Sequence, residues 1–136
     1  MSEPVSDLKT LLSSMSPTRN DGVYVFASVP FDTDLRTLEP LAVMRETEGL
    51  SVVVAEDVAA RSGLAAFCRM AWITLRVHSD LEAVGLTAAF SRALAQVDIP
   101  CNVVAGAFHD HLFVPVDKAD AAMDALRALQ HSVPSD

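Results

Sequence analysis

The stretch VHSDLEAVGLTAAF, residues 77–90, places His78 and Ser79 where an apolar strand pattern gives way to a helical one, with Gly85 a few residues on. A helix start of this kind presents unpaired backbone N–H groups and the positive end of the helix dipole. A carboxylate could be held there by charge-assisted bonds to the amides around Val84, Gly85 and Leu86. Ser79 stands three residues before Glu82, the spacing of a capping box, so a helix is expected to begin here. Glu82 is then either the structural partner of that cap or an acceptor for a ligand ammonium. Gly85 either admits a ligand closely or relieves packing of helix on sheet. His78 either touches the ligand or makes a local hydrogen bond.

Other combinations point to weaker chemistry. His109 and His111 in HDH would share one face of a strand, with Asp110 on the other, but two His without a third ligand make a poor zinc site. Cys101, His109 and Asp110 contain the parts of a nucleophile, base and orienter, yet nothing marks the thiol as activated. No glycine-rich phosphate loop or nucleophile elbow is present. The expectation is no metal, no cofactor and no catalysis.

Composition narrows the partners. Acidic residues outnumber basic ones by 18 to 10, for a net charge of −8. Lys and Arg are scattered without a basic stripe, so nucleic acid is not an expected partner. No apolar run approaches the roughly 20 residues of a membrane span, and the acidic start is unlike a signal peptide. A cytoplasmic protein is expected. Cys68 and Cys101 fall in apolar surroundings and read as two buried thiols.

The elements that must position these residues follow from periodicity. Ser6 with Leu8, Leu11, Leu12 and Met15 reads as a capped helix stopped by Pro17. Residues 23–29 read as a strand, 30–40 as a proline-bounded loop with one helical turn, and 42–55 as a hairpin turning near Glu48-Gly49. A short helix ending at Gly63 follows, then a long strand over 69–77 with one face in the core. The next helix lines up Leu86, Phe90, Ala93, Leu94 and Val97. A second hairpin turns around Ala107-Phe108, and a last helix starts at Asp117 with Met123, Leu126 and Leu129 on one face.

This order is strand, connection, hairpin, helix, stated twice. It is the skeleton of a ferredoxin-like βαββαβ module. The long strand would close the first module and open the second. The expected fold is α+β: two modules sharing one antiparallel sheet, with helices on one face. Residues 1–68 form the first, degenerate module with its N-terminal helix, and 69–136 the second.

The segments ITLRVHSDLEAVGLTAAFSRALA and IPCNVVAGAFHDHLFVP resemble a family of small bacterial tandem ACT-domain proteins, mostly without established function. Asp80 stands where that family usually has a small hydroxyl residue, and Ala107 where it has an aromatic. The resemblance implies ACT-type modules binding a small effector, most often an amino acid, between two modules. By position it implies ligand contacts at His78, Ser79, Leu81, Val84, Gly85 and Leu86, with Asn102, Val103 and Val104 on the opposing strand. The functional expectation is a regulatory or sensor protein that binds a free amino acid. The alternative is a ligand-free interaction module pairing through its sheet. The second module lacks a final strand after Gln130, and an open edge invites pairing, so a homodimer is expected.

Overall fold

The computed structural model describes residues 8–76 and 85–132. The chain runs α1 (Leu8–Ser14), β1 (Ser16–Arg19), β2 (Tyr24–Val29), β3 (Ala42–Arg45), β4 (Leu50–Ala55), α2 (Glu56–Arg61), β5 (Ala66–Arg76), α3 (Leu86–Ala95), β6 (Asn102–Ala105), β7 (Asp110–Pro115) and α4 (Ala119–His131). One sheet of seven strands has the order β3-β4-β2-β5-β7-β6, with β1 also pairing β5. Every pairing is antiparallel. This is the shared-sheet α+β architecture expected from the repeat.

β5 is the joint. Its N-terminal residues Ala66, Phe67 and Met70 pair with β2, while Met70 to Leu75 pair with β7. Between Phe67 and Met70 two residues oppose the single Val25, and Cys68 has a φ of 60°. That is a β-bulge with its first residue left-handed, a device that sharpens local twist. It also shifts side-chain alternation by one, so Phe67 and Met70 share a face. Cys68 is exposed on this bulge, contrary to the reading of two buried thiols; only Cys101 is half-buried. Apolar neighbours in sequence do not bury a side chain that a bulge turns outward.

The helices lie on one face and divide it into two cores. Val25, Ala27, Val29, Val52 and Val54 pack with Ala59 of α2. Ala71, Ile73, Leu75, Leu112 and Val114 pack beneath α3 and α4, through Phe90, Leu94, Ala122 and Leu126. Leu11, Leu12 and Met15 of the N-terminal segment belong to this second core, not to the first. The expected helix face also differs at one end: α3 stops at Ala95, and Val97 is left 52% exposed.

The missing final strand of the second unit comes from the other end of the chain. β1 pairs Ser16 with Arg76, Pro17 with Leu75, Thr18 with Thr74 and Arg19 with Ile73. The open edge left by the missing final strand, which was expected to invite a second copy, is thus filled from within at β5. The proline concealed the strand in the sequence. A strand at the sheet margin tolerates Pro because one row of its backbone needs no ladder partner.

The helix-free face is covered in part, by the sheet itself. Six strands side by side would span about 24 Å if flat. Yet Ala42 of β3 and Val104 of β6, from the outermost strands, line the same cavities. The sheet therefore curls into a cup. Inside it Val53, Met70 and Phe113 are buried without any helix over them. Over Met70–Leu75 the long strand β5 is largely buried on both faces, where one had been expected.

Candidate functional site

The first candidate is the corner between β5 and α3. β5 ends at Arg76, and residues 77–84 lie outside the described residues, so the expected roles of His78, Ser79, Leu81, Glu82 and Val84 do too. Gly85 is placed. It is the N-cap of α3, with a φ of +100°, and the helix proper begins at Leu86. Gly85 is therefore not inside a helix, where it was expected. Its lack of a side chain answers a left-handed backbone. A Cβ there would meet Leu8 Cδ2 of α1 at 3.1 Å, so the space it leaves is occupied by packing. The Gly85 carbonyl accepts from Ala89 N at 2.9 Å. As an N-cap, glycine offers no side-chain acceptor to the first-turn amides. Leu86 itself is 4% exposed and sits in the second core.

The second part of the expected site is β6. Asn102 pairs with Phe113, Val103 with Leu112 and Val104 with His111. Cross-strand partners share a face. Asn102 and Val104 thus lie inside the cup with Phe113 and His111, whereas Val103 lies on the helix side. Phe113 in turn pairs with Trp72, so Asn102 stands level with Trp72, well before the end of β5. Within one chain the sheet separates Asn102 and Val104 from Gly85 and Leu86.

Inside the cup is a polar cluster that sequence reasoning missed. Trp72 Nε1 donates to His111 Nδ1 at 3.0 Å, and Thr74 Oγ1 lies 3.3 Å from the same nitrogen. Asn20 Nδ2 donates to Thr74 Oγ1 at 2.9 Å. Thr74 is 3% exposed. The rings of Tyr24 and Trp72 meet edge-on at 5.5 Å, and those of Phe26 and Phe113 at 5.9 Å. The signal available in the sequence was the alternation of Trp72 and Thr74 along β5; the partner His111 is 39 residues from Trp72, beyond any local pattern. Burial holds the His111 imidazole below its ordinary pKa, helped by His109 and Arg76 and opposed by Asp110. Burial pushes Asp110 up, against the pull of His111 and His109.

His109 and His111 do not form the pair expected for one strand. His111 is in β7, but His109 precedes it in the turn, its carbonyl accepting from Gly106 N at 2.9 Å. Among the described residues no group of three His, Cys, Asp or Glu side chains converges as a metal would require. Cys101 is held at a pKa of about 11 by burial, the opposite of an activated thiol.

Two ACT-domain families match the sequence, one over residues 3–71 and one over 68–128. The chain belongs to the ACT-domain family. ACT domains are regulatory modules that bind small molecules such as amino acids. Among solved structures, a Vibrio cholerae protein of unknown function, named as a possible transport protein, is 46% identical with a TM-score of 0.83. The likeness covers 90% of this chain and 95% of that one. An Agrobacterium tumefaciens protein is 17% identical, with a TM-score of 0.65 over 85% of this chain and 89% of its own. The ligand-free regulatory subunit of aspartate kinase from Thermus thermophilus is 12% identical, with a TM-score of 0.63 over 88% and 97%. These last two share the ACT fold with this chain. No curated protein matches it. No helix among the described residues is long and apolar enough to cross a membrane.

Proposed function

We propose that this tandem ACT protein is a non-catalytic cytoplasmic sensor that binds a free amino acid at the corner between β5 and α3. The observation that carries this reading is the glycine N-cap of α3. Gly85 supplies no side-chain oxygen to the first-turn amides at the positive end of a helix of ten residues. The ligand carboxylate accepts from the amides around Val84, Gly85 and Leu86, with His78, Ser79 and Leu81 beside it. Glu82 or Asn102 accepts from its ammonium. The sheet stands between the Gly85 corner and the cup face of β6 in one chain. Asn102 and Val104 of the opposing strand, with Val103 between them, come in this reading from a second copy, and the working unit is a homodimer. In this reading the division between residues 1–68 and 69–136 falls on the β5 bulge at Cys68, while the N-terminal helix serves the second unit.

A thermal-shift screen against the proteinogenic amino acids tests the proposal. A ligand at 100 times its Kd should stabilise by about 2.7 kcal/mol. Glu82→Gln and Asn102→Ala should each weaken binding of the identified amino acid by roughly tenfold while leaving the ligand-free melting point unchanged. If no amino acid shifts the midpoint, the reading fails.

A further inference from the structure

β1 closes one open edge of the sheet and in doing so presents another. Ile73 to Leu75 of β5 pair with β7 on one flank and with Arg19 to Pro17 of β1 on the other. Further along that second flank β5 meets β2, which has β4 beside it, whereas among the described residues β1 pairs with β5 alone. Asn20 N donates to Trp72 O at 2.9 Å, so the alternate backbone groups of Thr18 and Ser16 also point at β5. Arg19 N–H and the carbonyls of Arg19 and Pro17 therefore point away from β5, along an edge that can take one more strand.

The other wall is α4. A groove of about 440 Å3 runs between β1 and the face of α4 that carries Asp120, Asp124 and Arg127. Arg19 Nη1 meets Asp120 Oδ1 at 3.2 Å near the start of α4, and Gln130 Nε2 donates to Ser13 O at 3.3 Å near its end. The helix thus runs antiparallel to β1, with Asp120 beside Arg19 and Arg127 towards the Pro17 end. Two turns of helix separate these charges by about 10 Å. Three residues of extended chain span about the same distance.

A short peptide with free ends matches these groups in one direction only. Laid antiparallel to β1, its first residue faces Arg19 and its third faces Pro17. The carbonyl of the first residue accepts from Arg19 N–H. Its ammonium reaches the Arg19 carbonyl and Asp120, of which Arg19 engages only Oδ1. The N–H of the third residue donates to the Pro17 carbonyl. Proline has no N–H to return to the terminal carboxylate, and the guanidinium of Arg127 supplies the missing donors at that end. Among the described residues Arg127 makes no hydrogen bond or ion pair of its own. Reversing the peptide would set each of its end charges against a like charge.

We propose that the groove between β1 and α4 binds a free tripeptide as an added strand, with its ammonium at Asp120 and its carboxylate at Arg127. Asp124 lies between the two on the helix wall and disfavours an acidic side chain facing α4. The site is separate from the corner at α3 and does not rest on the amino-acid reading.

Trialanine with free ends, its N-acetyl form and its C-terminal amide are the probes. Titration of the full-length protein with trialanine should shift the Arg19 amide resonance saturably. Each blocked form should bind roughly fivefold more weakly, the worth of one exposed ion pair. Arg127→Gln should bind trialanine and its amide alike, and Asp120→Asn should bind trialanine and its acetyl form alike. Both side chains are exposed, so neither change should lower the melting point. An Arg19 amide unmoved by trialanine at about 10 mM, where even a weak site fills, would overturn the proposal. So would variants that keep the wild-type preference for free ends. Shifts confined to Leu86 and its neighbours would put the peptide at the corner instead and overturn it equally.

Discussion

Trp72 Nε1 donates to His111 Nδ1 at 3.0 Å across the β5–β7 ladder, and this bond exists only while the imidazole is neutral. Protonation would set two donors against each other inside the cup. Burial, His109 and Arg76 lower the folded pKa of His111 below its ordinary 6.5. The unfolded chain therefore binds the proton first as pH falls. The resulting stability is fully present above 6.5 and is lost as pH drops through that value towards the folded pKa. The urea midpoint should be flat from pH 8 to 7 and decline below 6.5, and His111→Gln should flatten that decline. A decline of equal size in the variant would assign it to other groups.

The two cysteines should separate cleanly in reactivity. Cys101 is pushed up to about 11, so at pH 8 about one such thiol in a thousand is ionised. Cys68 is exposed on the bulge. Iodoacetamide at pH 8 should modify Cys68 first, with Cys101 labelled at least tenfold more slowly in the folded protein. Peptide mass spectrometry after timed quenching reads both rates, and equal labelling would contradict the burial of Cys101.

The N-terminal segment should behave as core. Leu11 and Met15 are both 0% exposed beneath the second unit. Leu11→Ala should cost about 3 kcal/mol, the usual cost of emptying a buried leucine site. A loss below about 0.5 kcal/mol in chemical denaturation would mean that α1 is a loosely attached arm.

Gly85 should resist substitution for two separable reasons. Its φ of +100° strains any L-residue, and a Cβ would press on Leu8 at 3.1 Å. Gly85→Ala should therefore cost roughly 1–3 kcal/mol. In a double-mutant cycle Leu8→Ala should recover part of that loss but not all of it. Full recovery would mean that contact, not backbone strain, selects glycine here.

Cys68 is a milder case of the same constraint. Its φ of 60° lies in the left-handed region that glycine occupies without penalty. Cys68→Gly should be neutral to about 1 kcal/mol stabilising, and Cys68→Val destabilising by about 1 kcal/mol or more, both read from thermal melts. A stabilising valine would argue against the bulge.

Period and turn chemistry determined most of the elements from sequence alone. The twofold order of strand, connection, hairpin and helix was legible because side-chain alternation and helical spacing are local properties. So were both hairpin turns: Glu46 N donates to Gly49 O, and Gly106 N to His109 O. Three things were decided only in the folded chain. β1 is a strand because β5 offers it a free edge, and nothing inside Ser16–Arg19 announces that. Gly85 is a cap with a φ of +100° rather than a helix residue, and Leu8, 77 positions away in the chain, packs where a side chain would stand. The cup brings Ala42 and Val104 of the outermost strands to one cavity, and the shared strand carries a bulge at Cys68, a device that sharpens twist. Trp72, Thr74, Asn20 and His111 meet there through cross-strand register, a long-range property that no local pattern encodes.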